Sequence, residues 1–164
     1  MNHPTPKTPA NAPLAALRAG LGLYFVLAGI AKAQGELING FGSFRSSESF
    51  LALQPAWLPD LFATPFGLAL PWVEIAVGLT LAAGLFTRIS ALLTAAMLLS
   101  FTIALVGVAG ISGGSPGPFH PNFLLLAASA VFIAKGPVAF SLDQSTLVRT
   151  ALRKPRVLPR PAAA

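Results

Sequence analysis

Residues 66–86 read FGLALPWVEIAVGLTLAAGLF, and this apolar run decides the fold class of the chain. A helix needs about 20 mainly apolar residues to cross a bilayer, because lipid offers the backbone no hydrogen-bond partner and each peptide group must be satisfied within the helix. The run contains one ionisable residue, Glu74, and is long enough to cross. It therefore predicts a transmembrane helix.

Three further segments have a similar length and apolar character. They are residues 14–31, 91–111 and 121–140. Together with residues 66–86 they predict an all-α integral membrane protein, a four-helix bundle with a long loop over residues 34–65. Ala15, Gly22 and Gly29 recur every seven residues along the first segment. Small residues at helical spacing let membrane helices approach closely, so this face is expected to pack inside the bundle.

The composition argues against a water-soluble enzyme. Of the 164 residues, 54% are hydrophobic and 10% are charged, whereas soluble domains have about 25% charged residues. The chain has no cysteine, which excludes a disulfide framework, a thiolate metal site, an iron–sulfur cluster and a dithiol redox relay. Any redox role must therefore take its electrons from another molecule.

The basic residues predict the orientation of the four helices. Arg18, Arg88 and a basic C-terminal segment lie on the side that both termini share, whereas the opposite side has Arg45, with Lys32 at its edge. Basic residues accumulate on the cytoplasmic side of membrane proteins. Both termini are therefore expected in the cytoplasm, with the 34–65 loop outside. The predicted location is the bacterial cytoplasmic (inner) membrane, which the chain crosses several times.

The net charge of +6 does not indicate nucleic-acid binding, because five of the eleven basic residues fall in the last sixteen positions. Residues 141–154 combine apolar residues at helical spacing with basic residues on the flank. They predict an amphipathic helix on the cytoplasmic surface, suited to anionic lipid headgroups. Residues 1–13 and the basic tail 155–164 are expected to be disordered.

An alternative treats the first apolar segment as a signal peptide, with Lys7 and Arg18 in its basic region and cleavage near residues 31–33. Cleavage would leave three spans and place Arg88 and the basic tail on opposite sides of the membrane. That arrangement contradicts the charge distribution. The first segment is therefore expected to be a transmembrane helix.

Glu74 needs a partner, because an unpaired charge within a span costs about 2.5–3.5 kcal/mol on insertion scales. Glu74 is fourteen residues from Arg88, and Lys32 is fourteen residues from Arg18. At 1.5 Å per residue, both lie about 21 Å from the cytoplasmic arginines. His120 lies about 22 Å from the cytoplasmic end of the fourth segment by the same rule. The three side chains are therefore expected at one depth, near the outer side.

This set of side chains has two interpretations. In the first, Lys32 and Glu74 form a structural ion pair that fixes helix register, and His120 caps the fourth helix. In the second, they line a pocket where the lysine or histidine donates to a quinone carbonyl and the carboxylate handles the proton. The structural interpretation is favoured because buried ion pairs can serve conformational specificity alone. The sequence assigns no catalytic residue.

At the cytoplasmic interface the sequence places Arg18, Arg88, Lys135 and Asp143. Lys135 is expected to extend toward the headgroups. Two histidines and five acidic residues without cysteine give no metal-binding constellation. Motifs for a serine nucleophile, a phosphate-binding loop or a zinc protease are also absent from the sequence.

Three stretches resemble the DoxX family of small four-span bacterial membrane proteins. They are RAGLGLYFVLAGIAK at 18–32, PWVEIAVGLTLAAGLFTR at 71–88 and KGPVAFSLD at 135–143. The last stretch has Val138 where that family often has a second glycine of a Gly-Pro-Gly turn. The resemblance implies a link to membrane redox and oxidative-stress complexes, since relatives include a subunit of thiosulfate:quinone oxidoreductase. The shared motif positions include Arg18, Lys32 and Glu74.

Two functions of different class follow from the sequence and the resemblance. In the first, the protein has no activity of its own and assembles or anchors a protein partner in a membrane redox complex. In the second, it is the quinone-binding subunit of an oxidoreductase, and quinone is then its cofactor. A transporter for small solutes or lipids is less favoured, because the sequence lacks the inverted repeat and broken helices typical of such folds.

Overall fold

The computed structural model describes residues 11–109 and 121–145, and within these ranges the chain is all-helical. Five α-helices follow one another here, and a single 3-10 turn lies at Leu142–Gln144. The helices are α1 (Ala12–Asn39), α2 (Glu48–Leu53), α3 (Asp60–Ala83), α4 (Thr87–Ala109) and α5 (Pro121–Lys135).

Three of these helices, α1, α3 and α4, are long and apolar enough to cross a membrane. Helix α5 is also apolar but has 15 described residues. It ends at Lys135 and not at the expected residue 140, because Gly136 adopts a φ of 72° and Pro137 cannot continue a helix. The described chain thus contains three candidate spans and a shorter apolar helix.

The other spans also depart from their expected bounds. Helix α1 continues to Asn39, so residues 34–39 belong to a helix and not to the loop. Helix α3 begins six residues earlier than expected, with Asp60 in its first turn, where an acidic side chain favours the helix N-terminus. Polar residues at these ends make the apolar stretch of sequence shorter than the helix. The helix nevertheless includes them, because their side chains have hydrogen-bond or ion-pair partners.

The structure describes only some of the residues to which the predictions for the chain ends apply. The first residues of the expected 141–154 surface helix form the 3-10 turn instead of an α-helix. Residues 146–154 lie outside the described ranges, as do residues 1–10 and the tail 155–164.

Helices α1 and α3 pack closely through glycines. A Cβ atom on Gly22 would lie 2.5 Å from the backbone nitrogen of Ala82, and one on Gly29 would lie 2.7 Å from the carbonyl oxygen of Pro71. On α3, a Cβ on Gly78 would lie 2.6 Å from the carbonyl oxygen of Gly22. Gly22 and Gly29, two of the three small residues at seven-residue spacing in α1, therefore lie on a packing face against α3.

The buried centre of the bundle combines apolar side chains with hydroxyl groups. Phe25 and Phe132 are almost fully buried, as are Thr94 and Ser129. The two hydroxyls donate to carbonyl oxygens one turn earlier in their own helices, at 2.8 Å each. They are therefore satisfied locally and leave the packing between helices apolar.

Between α1 and α3, residues 40–59 form a folded segment that includes α2, hereafter the cap segment. The side chain of Ser47 accepts a hydrogen bond from the backbone N–H of Phe50 and so caps the N-terminus of α2. The Glu36 carboxylate on α1 accepts hydrogen bonds from the backbone N–H groups of Gly42 and Phe44. These contacts fold the cap segment back over one end of the bundle.

Candidate functional site

The structure brings Lys32 of α1 and Glu74 of α3 together as an ion pair. The Nζ atom of Lys32 donates to Oε2 of Glu74 at 2.6 Å and also to the carbonyl oxygen of Ala28 at 3.4 Å. The Glu74 side chain is 1% exposed and the Lys32 side chain 24%. The carboxylate is therefore enclosed, whereas part of the lysine side chain is accessible.

The pair forms because α1 and α3 approach each other within one turn of it. Gly29 lies three residues before Lys32, and its Cα faces the carbonyl oxygen of Pro71 and the side chain of Ile75. A larger residue at this point would separate the backbones that carry the two charges. His120, the third member of the predicted set, lies outside the described residues.

A cavity of about 720 Å³ lies beside the ion pair, bounded by α1, α3, α4 and the cap segment. Its volume is in the range of about 300–1,000 Å³ that is typical of ligand sites. Aromatic rings form much of its wall, namely Phe44, Phe50, Trp57, Phe62, Phe66 and Phe101. The few polar residues at the wall include Lys32, Gln54 and Ser100. The cavity suits an apolar molecule with a small polar head.

The cap segment is held over this cavity by charged contacts. Arg45 donates to Oδ1 of Asp60 at 2.9 Å and lies 5.0 Å from the centre of the Phe50 ring. The Nζ atom of Lys32 lies 5.8 Å from the centre of the Phe44 ring, within cation–π distance. The cap segment thus forms one wall of the cavity and places the Phe44 ring beside the Lys32 ammonium group.

The sequence interpretation missed Glu36 and the cap segment as parts of this site. Glu36 is 5% exposed, yet it falls in a range that was expected to be a loop. Its position one turn after Lys32 in the same helix is the signal that identifies it, because residues four apart lie on one helix face. The aromatic residues at 41, 44 and 50 are a second signal.

At the opposite end of the bundle, Arg18 is buried and links α1 by hydrogen bonds to the end of α3 and to the chain after α5. Its Nη2 atom donates to the carbonyl oxygen of Phe140 at 3.0 Å and to that of Ala82 at 3.4 Å. Ala82 lies in the last turn of α3, whose free carbonyl groups attract a cation. The adjoining Gly84 has a φ of 69° and closes α3 as a left-handed cap.

Asp143 caps the N-terminus of α4 from a distant part of the chain. Its carboxylate accepts from the backbone N–H of Phe86 at 2.7 Å and from the N–H and Oγ1 of Thr87, each at 2.8 Å. Helix N-termini have unpaired N–H groups that favour an acidic partner. Asp143 therefore connects the chain after α5, through these hydrogen bonds, to the turn between α3 and α4.

The two other residues predicted at this end are exposed. The Arg88 side chain passes over Gly136, where a Cβ atom would lie 2.7 Å from its Nε atom. Lys135 adjoins that glycine in the chain and is exposed at the end of α5. Arg18, Arg88, Lys135 and Asp143 thus lie at one end of the bundle, and Lys32 with Glu74 lies toward the other.

Replacing Asp143 by alanine is expected to lower the free energy of unfolding by about 1–2 kcal/mol, because α4 loses its N-terminal cap. Thermal unfolding of the purified protein in detergent measures the change. Glu48→Ala is the matched control, since Glu48 is an exposed acidic residue. Equal stability of the Asp143→Ala variant and the wild type would contradict the capping role.

The sequence model of one protein family, described as Methylamine utilisation protein MauE, matches residues 10–117, more than half of the chain. No curated protein and no solved structure matches the chain. The matched family is different from the DoxX family that the three motifs resemble, although both consist of small membrane proteins. The resemblance therefore identifies the kind of protein but not its family. The chain is a multi-pass membrane protein and belongs to the MauE family.

Proposed function

We propose that this protein is a noncatalytic membrane subunit that assembles or anchors a redox partner protein. Membership of a family of methylamine utilisation proteins supports a place in a redox system that acts on methylamine. The observation that supports the noncatalytic role is that the charged side chains are engaged in contacts within the protein. Arg18, Lys32, Glu74 and Asp143 each bond to a neighbouring element of the bundle.

The proposed setting is the bacterial cytoplasmic membrane, with the Arg18 end in the cytoplasm. Basic residues concentrate at that end, which favours the cytoplasmic side. The cap segment and the Lys32–Glu74 pair then lie toward the outside. The basic C-terminal segment would contact anionic headgroups, since each Lys or Arg near such a surface contributes about 1 kcal/mol.

A second candidate function is a quinone-binding subunit, which the cavity beside Lys32 favours. A quinone has an apolar ring and tail and two carbonyl oxygens, so it matches aromatic walls with the Lys32 ammonium among them. When bound, it would supply the exchange of electrons and protons with a partner enzyme. The contribution of this chain would be to hold the ring between the aromatic side chains and to donate from Lys32.

Native mass spectrometry of the tagged protein, extracted from its host grown on methylamine, tests both candidates. The first predicts a redox protein at fixed stoichiometry and no retained quinone. The second predicts one quinone per chain. Extraction of a lone protein with neither partner nor quinone would contradict both proposals.

Substitution of Glu74 adds a genetic test in the same host. Glu74→Gln is expected to lower the amount of the protein and of its redox partner together, because the buried pair joins α1 to α3. Glu48→Gln, an exposed position on α2, is the matched control and should leave both amounts unchanged. If Glu74→Gln leaves both the amounts and the methylamine-dependent turnover unchanged, neither role of the pair holds.

A further inference from the structure

The cap segment contacts all three of the long helices that bound the cavity. A Cβ atom on Gly67 of α3 would lie 2.7 Å from Cδ of Arg45, and one on Gly107 of α4 would lie 3.5 Å from Cβ of Pro55. On α1, the Glu36 carboxylate accepts from two backbone N–H groups of the cap segment. A ligand that passed the cap segment would have to break these contacts.

Helices α3 and α4 are packed less closely beside the cavity than near the turn that joins them. Close to that turn, the hydroxyl of Ser90 donates to that of Thr80 at 3.0 Å. Beside the cavity, the rings of Phe66 and Phe101 meet edge to face with their centres 6.5 Å apart. Bulky side chains at a contact increase the distance between helix axes. The passage between α3 and α4 is therefore wider on the side of the cavity.

The cavity wall becomes more exposed along one face of α3. Leu70, Phe66 and Phe62 follow one another at four-residue spacing, and all three line the cavity. Their exposed fractions rise from 5% to 39% and 62%, so the cavity is enclosed at Leu70 and open toward Phe62. Trp57 of the cap segment and Ile103 of α4 are also exposed lining residues. The set of Trp57, Phe62, Phe66 and Ile103, hereafter the rim, is uncharged.

The rim lies in the outer half of the membrane in the orientation proposed above. Phe62 is 21 residues before the last residue of α3, and Ile103 is 16 residues after the first residue of α4. At 1.5 Å per residue they lie about 32 Å and 24 Å from the cytoplasmic ends of these helices, and the hydrocarbon layer is about 30 Å thick. An uncharged rim at this depth faces lipid tails, and the indole of Trp57 suits the boundary with the headgroups.

We infer that ligands reach the cavity laterally from the outer leaflet, through the rim between α3 and α4, while the cap segment stays closed. The head of the ligand reaches Lys32, and its tail extends past the rim into lipid. An anionic head would have to compete with the Glu74 carboxylate, which lies 2.6 Å from the Lys32 ammonium. The ligand class is therefore a membrane-dissolved amphiphile with a neutral, oxygen-bearing head. This inference rests on the second candidate function.

A disulfide between the cap segment and α4 tests whether the cap segment must open. The chain has no cysteine, and the Cβ separation of 3.5 Å between positions 55 and 107 suits a disulfide. Pro55→Cys/Gly107→Cys is reconstituted in lipid vesicles, and binding and release of decylubiquinone are followed before and after reduction. Lateral access predicts rates that agree within about twofold, because the disulfide leaves the rim unchanged.

The fluorescence of Trp57 reports these rates, since a bound quinone quenches an indole at the cavity wall. Trp72→Phe removes the other tryptophan and serves as the background for all measurements. A long-tailed ubiquinone should quench Trp57 at the same mole fraction in the membrane as decylubiquinone, because the additional tail stays in lipid.

Crowding of the rim is expected to slow the ligand where the disulfide does not. Ile103→Phe should lower the rates of binding and release about tenfold, since overpacking at a narrow passage costs enough to produce that factor. Leu99→Phe is the matched control. Leu99 lies one turn earlier on α4 and is 50% exposed against 48% for Ile103, but it does not line the cavity. Thermal unfolding of each variant identifies any loss of fold.

The outcomes separate this inference from the function on which it rests. Loss of quinone exchange in the oxidised double variant, with recovery on reduction, would overturn the inference and make the cap segment the entrance. Equal rates for Ile103→Phe and Leu99→Phe would also overturn it. Failure of the wild type to bind either quinone would overturn the second candidate function itself. Either comparison decides alone if the disulfide does not form or a variant does not fold.

Discussion

A single methyl group added at Gly22 is expected to lower the free energy of unfolding by about 3 kcal/mol, the upper end of the usual cost of overpacking. The Cβ atom of Gly22→Ala would lie 2.5 Å from the backbone nitrogen of Ala82 and 2.6 Å from the carbonyl oxygen of Gly78. Backbone atoms cannot move aside as a side chain can. Helices α1 and α3 must therefore separate along their contact, and other close contacts between them weaken too. Unfolding in detergent with increasing dodecyl sulfate measures the loss.

Gly20→Ala is the matched control for this prediction. Gly20 lies two residues away in the same helix, and a Cβ atom there would have no heavy atom within 4 Å. Alanine is favoured over glycine in a helix by up to about 1 kcal/mol, so stability should stay the same or rise. Similar unfolding of the Gly20 and Gly22 variants would show that α1 and α3 do not touch through this face.

Replacing Lys32 by methionine is expected to cost about 3 kcal/mol or more, because it leaves the Glu74 carboxylate buried and unpaired. That carboxylate is 1% exposed, so water cannot replace the lysine. Glu74→Gln should cost less, since the partly exposed ammonium of Lys32 reaches other acceptors more easily. Unfolding free energies of the single variants give these values under identical detergent conditions.

The double variant Lys32→Met/Glu74→Gln tests whether the two residues act as a pair. Its cost is expected to be smaller than the sum of the single costs by about 2–3 kcal/mol, as for groups in direct contact. Lys135→Met is the matched control, because Lys135 is exposed, and it should change stability by less than about 0.5 kcal/mol. Additive single effects would contradict the ion pair.

The relative level of Lys32 and Glu74 within their spans could be predicted from the sequence. A helix has a fixed rise per residue, so equal distances from Arg18 and Arg88 place Lys32 and Glu74 at one level without knowledge of packing. The 2.6 Å contact agrees with that level. The sequence did not predict which faces of α1 and α3 meet, and this is set by the glycines at the crossing.

The ends of the helices, in contrast, could not be predicted correctly from the sequence. Lys32 and Glu36 were expected near or beyond the end of the first span, but α1 continues through both to Asn39. Asp143 was expected to begin a surface helix, and it instead caps α4. Lys32 and Asp143 have their partners in distant parts of the chain, and Glu36 has its partners in the adjoining cap segment. Hydropathy along the sequence does not predict such contacts.

The sequence by itself determined that this is a helical membrane protein, because apolar runs of bilayer length leave the backbone one way to satisfy its hydrogen bonds. It also predicted that Lys32 and Glu74 lie at one level along their helices, where the structure pairs them. Only the tertiary structure decided that the cap segment folds over Lys32 and forms one wall of a cavity. The reason is physical: the cavity depends on contacts between separate elements, such as Lys32 with Glu74 and Arg45 with Asp60, and neither periodicity nor composition encodes those contacts.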